Sequence, residues 1–214
     1  MKMQAFSAAL LITLTIATYA KQGSRPASPA PAGNAEMQAG PRYTAAGELI
    51  RPTDFREWRF VTAGLGMTYN QPAAQPTGTP RPPNFTNVWV NPAAHSAFMK
   101  TGQWPDKTMF ILEVRASSSE GSINKGGHFQ SNVVVIEASV KDEARFPGKW
   151  AYFDFGRDMK PHVQALPPTE RCYACHSDNG AVDNTFVQFY PTLMEVAQKM
   201  GTVRPSYAAG AGAH

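Results

Sequence analysis

Cysteine is nearly absent from this chain of 214 residues: there are two, Cys172 and Cys175. So sparse a thiol content excludes a disulfide-stapled scaffold. A structural zinc site is also poorly served. It needs four ligands and usually a second cysteine pair, and the histidines away from the pair (His95, His128, His162 and His214) are scattered. Long apolar runs are missing too. The longest, Ala5 to Ala17 (AFSAALLITLTIA), is too short to span a bilayer. Nor is there a long apolar stripe of period 3.6 ahead of the cysteines, or the βαβ context that a thioredoxin-like redox pair requires. Excess charge is missing from the centre of the chain: from Tyr43 to Gly201 there are 15 basic and 15 acidic residues, and the net +4 comes from the two flanks. A nucleic-acid binder concentrates positive charge on its folded part, so no nucleic-acid partner is expected.

The two cysteines stand in Cys172-Tyr173-Ala174-Cys175-His176, a C-x-x-C-H run and the pattern of covalent c-type haem attachment. On a helix, positions i, i+3 and i+4 share one side. Two thiols can then add to the vinyl groups at one porphyrin edge, while the neighbouring imidazole reaches the iron. Cys172 and Cys175 are therefore the expected covalent anchors of one haem c, and His176 its axial iron ligand. Pro167-Pro168-Thr169-Glu170 reads as the start of that helix, with Thr169 as N-cap.

The N-terminus is consistent with this reading. Lys2, the apolar run and Thr18-Tyr19-Ala20 read as a secretory signal over residues 1–20. Residues 21–42 are rich in Pro, Ala, Gly and Ser and read as a disordered linker, residues 43–201 as one domain, and residues 202–214 as a flexible tail. Covalent haem is attached outside the bacterial cytoplasmic membrane, so the expected location is the periplasm, with no membrane association after signal cleavage.

The expected fold is mainly β (α+β): an antiparallel sheet domain with a C-terminal helical segment bearing the haem. Strands are predicted at Phe85–Val90, Thr108–Ala116, Asn132–Val140 and Trp150–Phe155, where β-branched and aromatic residues sit between Gly, Pro, Asn and Asp. A short helix is expected over Pro92–Met99. Alternation in the second strand puts Phe110, Leu112 and Val114 on one face and Glu113 and Arg115 on the other, solvated one. After the cysteines, Phe186, Phe189, Tyr190 and Leu193 recur at helical spacing, with Pro191 in a first turn and Gly201 as a stop. These side chains can serve either the core or an apolar wall around the haem.

A C-x-x-C-H at the C-terminal end of a β domain resembles the cytochrome P460 family, including the relatives called cytochrome c′-β. The resemblance extends over Asp54-Phe55-Arg56-Glu57-Trp58, Asn87-Val88-Trp89-Val90-Asn91-Pro92, Lys100-Thr101-Gly102, Glu137-Ala138-Ser139-Val140-Lys141-Asp142, Gly148-Lys149-Trp150-Ala151 and Phe189-Tyr190-Pro191. It implies an antiparallel β fold, commonly a homodimer, with His176 proximal and an open distal side for NO or hydroxylamine. It further implies, where the protein is catalytic, an oxidoreductase acting on hydroxylamine or NO with a periplasmic electron-transfer partner. Catalytic members carry a strand lysine cross-linked to the macrocycle. Here the corresponding position is Leu112, which with Phe110 would form an apolar distal wall; Lys107 reads as a turn charge and Lys125 as a loop residue.

Such a wall favours uncharged diatomic ligands. Glu137, and after it Glu113, are the strand acids that could relay a proton at the site. Two functions stay open on the sequence: a haem protein with a vacant distal site, and a six-coordinate electron carrier closed by Met159, Met194 or Met200, or by His95 or His128.

Overall fold

The computed structural model describes residues 40–68 and 82–210. The expected signal segment, most of the expected linker and the end of the expected tail lie outside them. The elements run in the order β1 (Leu49–Ile50), a 3-10 turn (Phe55–Glu57), β2 (Arg59–Leu65), β3 (Phe85–Val90), α1 (Pro92–Thr101), β4 (Met109–Ser118), β5 (Phe129–Lys141), β6 (Trp150–Asp154), β7 (His162–Val163), α2 (Arg171–Asn179), a second 3-10 turn (Val187–Phe189), α3 (Pro191–Met200) and α4 (Pro205–Gly210). The fold is a mainly β, α+β arrangement. Five strands form an antiparallel sheet in the order β2-β3-β4-β5-β6, each paired with its neighbour in sequence. β1 and β7 make a separate two-stranded ladder.

Strand parity divides the core in two. Val88, Val90, Phe110, Trp150 and Tyr152 point to one face, where α1, the segment after it and α3 cover them through Phe98, Trp104 and Leu193. Trp89, Met109, Ile111, Ile136 and Phe153 point to the other, against Leu49, Phe55, Trp58 and Phe155. The helices have sharp ends. Pro92 and Pro191 occupy their first turns, where the missing N–H costs nothing, and Gly102 (φ 69°) and Gly201 (φ 66°) close them in the left-handed region. The two closures are joined, since the Thr202 hydroxyl donates to the Gly102 carbonyl at 2.7 Å.

Two local expectations are corrected, and one strand was not expected. Glu113 is not solvated: it is 1% exposed, because the Phe55–Glu57 turn covers the second face of the sheet. Its carboxylate accepts hydrogen bonds from Arg56, with Nε at 3.0 Å, and from Arg115, with Nε at 2.9 Å. The N-cap of α2 is Glu170 rather than Thr169, with extended backbone and no side-chain capping bond. Finally, β2 forms the sheet edge although its residues, Arg59 to Leu65, lack the apolar density of the other strands. Within the expected tail, residues 205–210 form a short helix.

Burial alone would push the Glu113 carboxyl up, but the hydrogen bonds and charges of Arg115 and Arg56 outweigh it and hold the group below the ordinary glutamate value of 4.5. A depressed carboxyl contributes stability above its unfolded value and loses it as pH falls through the folded one. Glu113→Gln is therefore expected to cost about 1–2 kcal/mol at pH 7, discounted because Arg56 is half exposed and screened. Urea denaturation across pH should show the gap closing below about pH 4.5.

Candidate functional site

One register row decides what faces α2. Thr62, Val88, Leu112, Glu137 and Asp154 lie directly opposite one another across the five strands. Parity puts all of them on the face towards the C-terminal helices, and all line a cavity of about 500 Å³. That volume lies within the span of roughly 300–1,000 Å³ usual for small-molecule and cofactor pockets. The next row contributes Phe110, Ser139 and Tyr152. The opposite wall is α2, with Cys172, Cys175 and His176, followed by Phe186, Phe189 and Tyr190. Thus Phe110, Leu112, Glu137, Cys172, Cys175 and His176, singled out on sequence grounds, share one cavity. Leu193 belongs to the buried core instead.

Both cysteines are free. Burial, and after it the charge of Glu137, push the Cys172 thiol up, which disfavours the thiolate that a redox pair or a thiolate metal site would use. Among the described residues no three His, Cys, Asp or Glu side chains gather as a metal-binding group.

His176 is held in one orientation. Its ring lies between Tyr152, with centroids 4.4 Å apart, and Phe186, at 4.3 Å. Nδ1 is 2.8 Å from the carbonyl oxygen of Asn184, which can only accept, so Nδ1 carries the proton. Burial lowers the pKa of the ring, and the Asn184 bond opposes this only in part. The imidazole is therefore neutral near pH 7, with Nε2 as its lone-pair nitrogen, the tautomer a metal-ligating histidine needs.

Glu137 has accessible surface, but that surface belongs to the cavity. Burial and then the neighbouring Asp154 carboxylate raise its pKa above the ordinary glutamate range. Tyr152 keeps a buried hydroxyl with no hydrogen-bond partner among the described residues.

The other candidates fall elsewhere. His95 is on α1, His128 precedes β5, and His162 on β7 has Nδ1 2.6 Å from Glu48 Oε2; none lines the cavity. Met159 packs on the far face of the sheet, Met194 packs against the near-side core, and Met200 is exposed at the end of α3. Lys107 pairs with Asp142 in a turn at φ 64°, and Lys125 is exposed in the β4–β5 loop. No lysine is among the described residues lining the cavity.

Sequence reasoning did not find Met67, Asp154 or the Asn184 carbonyl. Asp154 could not be found without the register that sets it beside Glu137. Asn184 had a signal, since adjacent Asp and Asn suit a tight turn with two left-handed residues. Among the described residues no helix is long and apolar enough to cross a membrane.

The residues present fit a covalently held porphyrin: two free thiols and a neutral imidazole share a wall opposite a mostly apolar floor. No curated protein matches the chain. A family model described as Cytochrome P460 matches residues 52–187, from before β2 to beyond the cavity-lining Phe186. The match spans the sheet, the C-x-x-C-H helix and the turn behind it, and the chain belongs to the cytochrome P460 family, whose membership implies c-type haem.

Proposed function

We propose that this protein is a periplasmic mono-haem c-type cytochrome of the P460 type, binding or transforming small nitrogen compounds such as NO and hydroxylamine at a vacant distal iron site. The reading rests chiefly on one observation: Cys172, Cys175 and His176 share a cavity with the Thr62–Val88–Leu112–Glu137–Asp154 row. Cys172 and Cys175 would hold the haem through thioethers and His176 would be its axial ligand. Bound there, the haem supplies an iron with a coordination position for a small ligand.

The remaining roles belong to the chain. His176 keeps its proton on Nδ1 and so presents Nε2 for ligation. Val88, Phe110 and Leu112 exclude water and offer no hydrogen bond, which favours NO and CO over charged ligands. Glu137, whose carboxyl is raised towards protonation, holds or accepts a proton at its carboxylate oxygens. Leucine at position 112 leaves the floor without an amine for the lysine cross-link of the catalytic members, so the reading is of a haem that is not cross-linked through a lysine. Such a protein exchanges electrons with a periplasmic partner and pairs as a homodimer.

Met67 is the methionine that lines the cavity among the described residues, and it supports the second reading, a six-coordinate electron carrier. Absorption spectra of the reduced protein separate the two. Ready change on adding NO or CO is expected, and an inert six-coordinate spectrum would favour the carrier.

Protein matured in a host competent for haem attachment should keep its pigment on the polypeptide in acidified organic solvent. The Cys172→Ser, Cys175→Ser double variant should release whatever pigment it holds. Full release from the parent rejects covalent attachment.

The proton-relay role of Glu137 has its own test. The infrared carbonyl band of the protonated acid, identified by its loss in Glu137→Gln, should titrate with a midpoint above the ordinary glutamate value. Asp154→Asn removes the second cause of the rise, so the midpoint should fall while burial still holds it above that value. A midpoint at or below the ordinary value in the parent counts against the relay.

A further inference from the structure

The carbonyl that accepts the hydrogen bond of the His176 Nδ1–H sits in a tight turn. Val182 to Thr185 close a tight turn, with the Thr185 N–H donating to the Val182 carbonyl at 2.9 Å. Both central residues are left-handed, Asp183 at φ 44° and Asn184 at φ 58°. Asp and Asn are the side chains that best tolerate this region after glycine, and the turn is held further by contacts from outside it.

The support comes from two sides. The Asp183 carboxylate accepts from Lys141 Nζ at 2.6 Å and from the Trp150 indole N–H at 3.2 Å. Lys141 is 7% exposed at the end of β5 and also donates to the Trp104 carbonyl at 2.8 Å. The Trp104 indole in turn donates to the Thr185 hydroxyl at 2.9 Å, and that hydroxyl donates to the Val182 carbonyl at 2.6 Å. The turn is thus tied to β5, to β6 and to the segment between α1 and β4. It is also pressed against α2: a Cβ placed on Gly180 would stand 2.7 Å from the His176 carbonyl oxygen and 2.9 Å from the Asn184 carbonyl carbon.

A buried lysine needs an acid partner, and its nearest is Asp183 rather than Glu143, 3.5 Å away. Breaking this pair would leave Lys141 charged and underpaired while freeing the turn.

We propose that Asp183 is the positioning residue for the axial histidine. Clamped by Lys141 and Trp150, it fixes the Asn184 carbonyl against Nδ1 of His176 and so sets the orientation and basicity of the imidazole. This rests on the reading of His176 as iron ligand. A carbonyl held at hydrogen-bond distance strengthens the ligand, and one allowed to drift weakens it.

The test compares full-length matured protein with Asp183→Ala, Asp183→Asn and Lys141→Met. In Asp183→Ala the His176 Nδ1 proton, followed by NMR, should exchange with solvent about tenfold faster, the loss of roughly one ordinary hydrogen bond. The reduction potential should rise, because a weaker donor stabilises the oxidised iron less. Asp183→Asn keeps an acceptor for the Trp150 indole and should fall between parent and Asp183→Ala, and Lys141→Met should follow Asp183→Ala. If Asp183→Ala does not mature, the near-isosteric Asp183→Asn carries the same two measurements. Variants that lose thermal stability yet keep the parent's exchange rate and potential overturn the proposal and leave Asp183 a structural residue. A parent without covalent pigment would sink the haem reading separately, and the clamp would then be judged on the Nδ1 exchange rate alone.

Discussion

No residue of the helix that carries both thiols and the imidazole is fully buried; Cys172, Tyr173, Cys175 and His176 are covered in part. A helix of nine residues is too short to persist on its own propensity, so its place must be imposed from outside. The imposing contacts are few and converge on Tyr173, His176 and the helix end. Tyr173 donates its hydroxyl to the Leu166 carbonyl at 2.9 Å and packs edge-on against Tyr152. His176 lies between Tyr152 and Phe186, and the Gly180 turn abuts the helix end. Tyr152 belongs to β6 and Phe186 to the stretch before α3, so the sheet and the C-terminal segment together fix where the imidazole points. A cofactor joined to α2 by two thioethers would add what the helix lacks, an apolar mass to bury against the sheet.

Much of the sheet was legible because its strands alternate and are punctuated. Phe85–Val90 is bounded by Asn84 and by Asn91-Pro92, and the strand ends where the sequence says it does. Phe110 and Leu112 reach the cavity because parity is a local property. What was not legible depends on what lies on the far side. Glu113 looked like the outward partner of Leu112, yet the Phe55–Glu57 turn covers that face and supplies Arg56, fifty-seven positions away in sequence. No local pattern announces a pairing of that range. β2 was hidden for the same reason: an edge strand needs only one partner and can carry exposed Phe60 and Leu65. The C-x-x-C-H motif was fully legible, but the carbonyl that sets its histidine was not, since Asn184 acts through its backbone, which any residue supplies.

Sheet and helix contribute different things to the cavity. The helix side supplies the groups that would hold a cofactor, and their placement depends on aromatic contacts and on the Tyr173 and His176 hydrogen bonds. The sheet side supplies the surroundings of whatever binds opposite, and there each side chain is set by register. Thr62, Val88, Leu112, Glu137 and Asp154 occupy successive strands at one level, so the floor runs from neutral through apolar to acidic across the sheet. An uncharged ligand can rest over Val88 and Leu112, while a group that must gain or lose a proton is served only near Glu137.

That division bears on how one fold in this family can bind a ligand or transform it. Changing the floor does not require moving the ligand set, because position 112 is a central-strand residue whose backbone is fixed by ladders on both sides. Leucine there presents only methyl groups, whereas an amine at the same register position would bring a charge and a nucleophile into the cavity with the backbone unchanged. The adjacent Glu137, raised by burial and by Asp154, would then face a cation directly opposite and its carboxyl would be drawn back down. With Leu112 in place no cation stands at the facing position, and burial and the Asp154 charge act on the Glu137 carboxyl unopposed there.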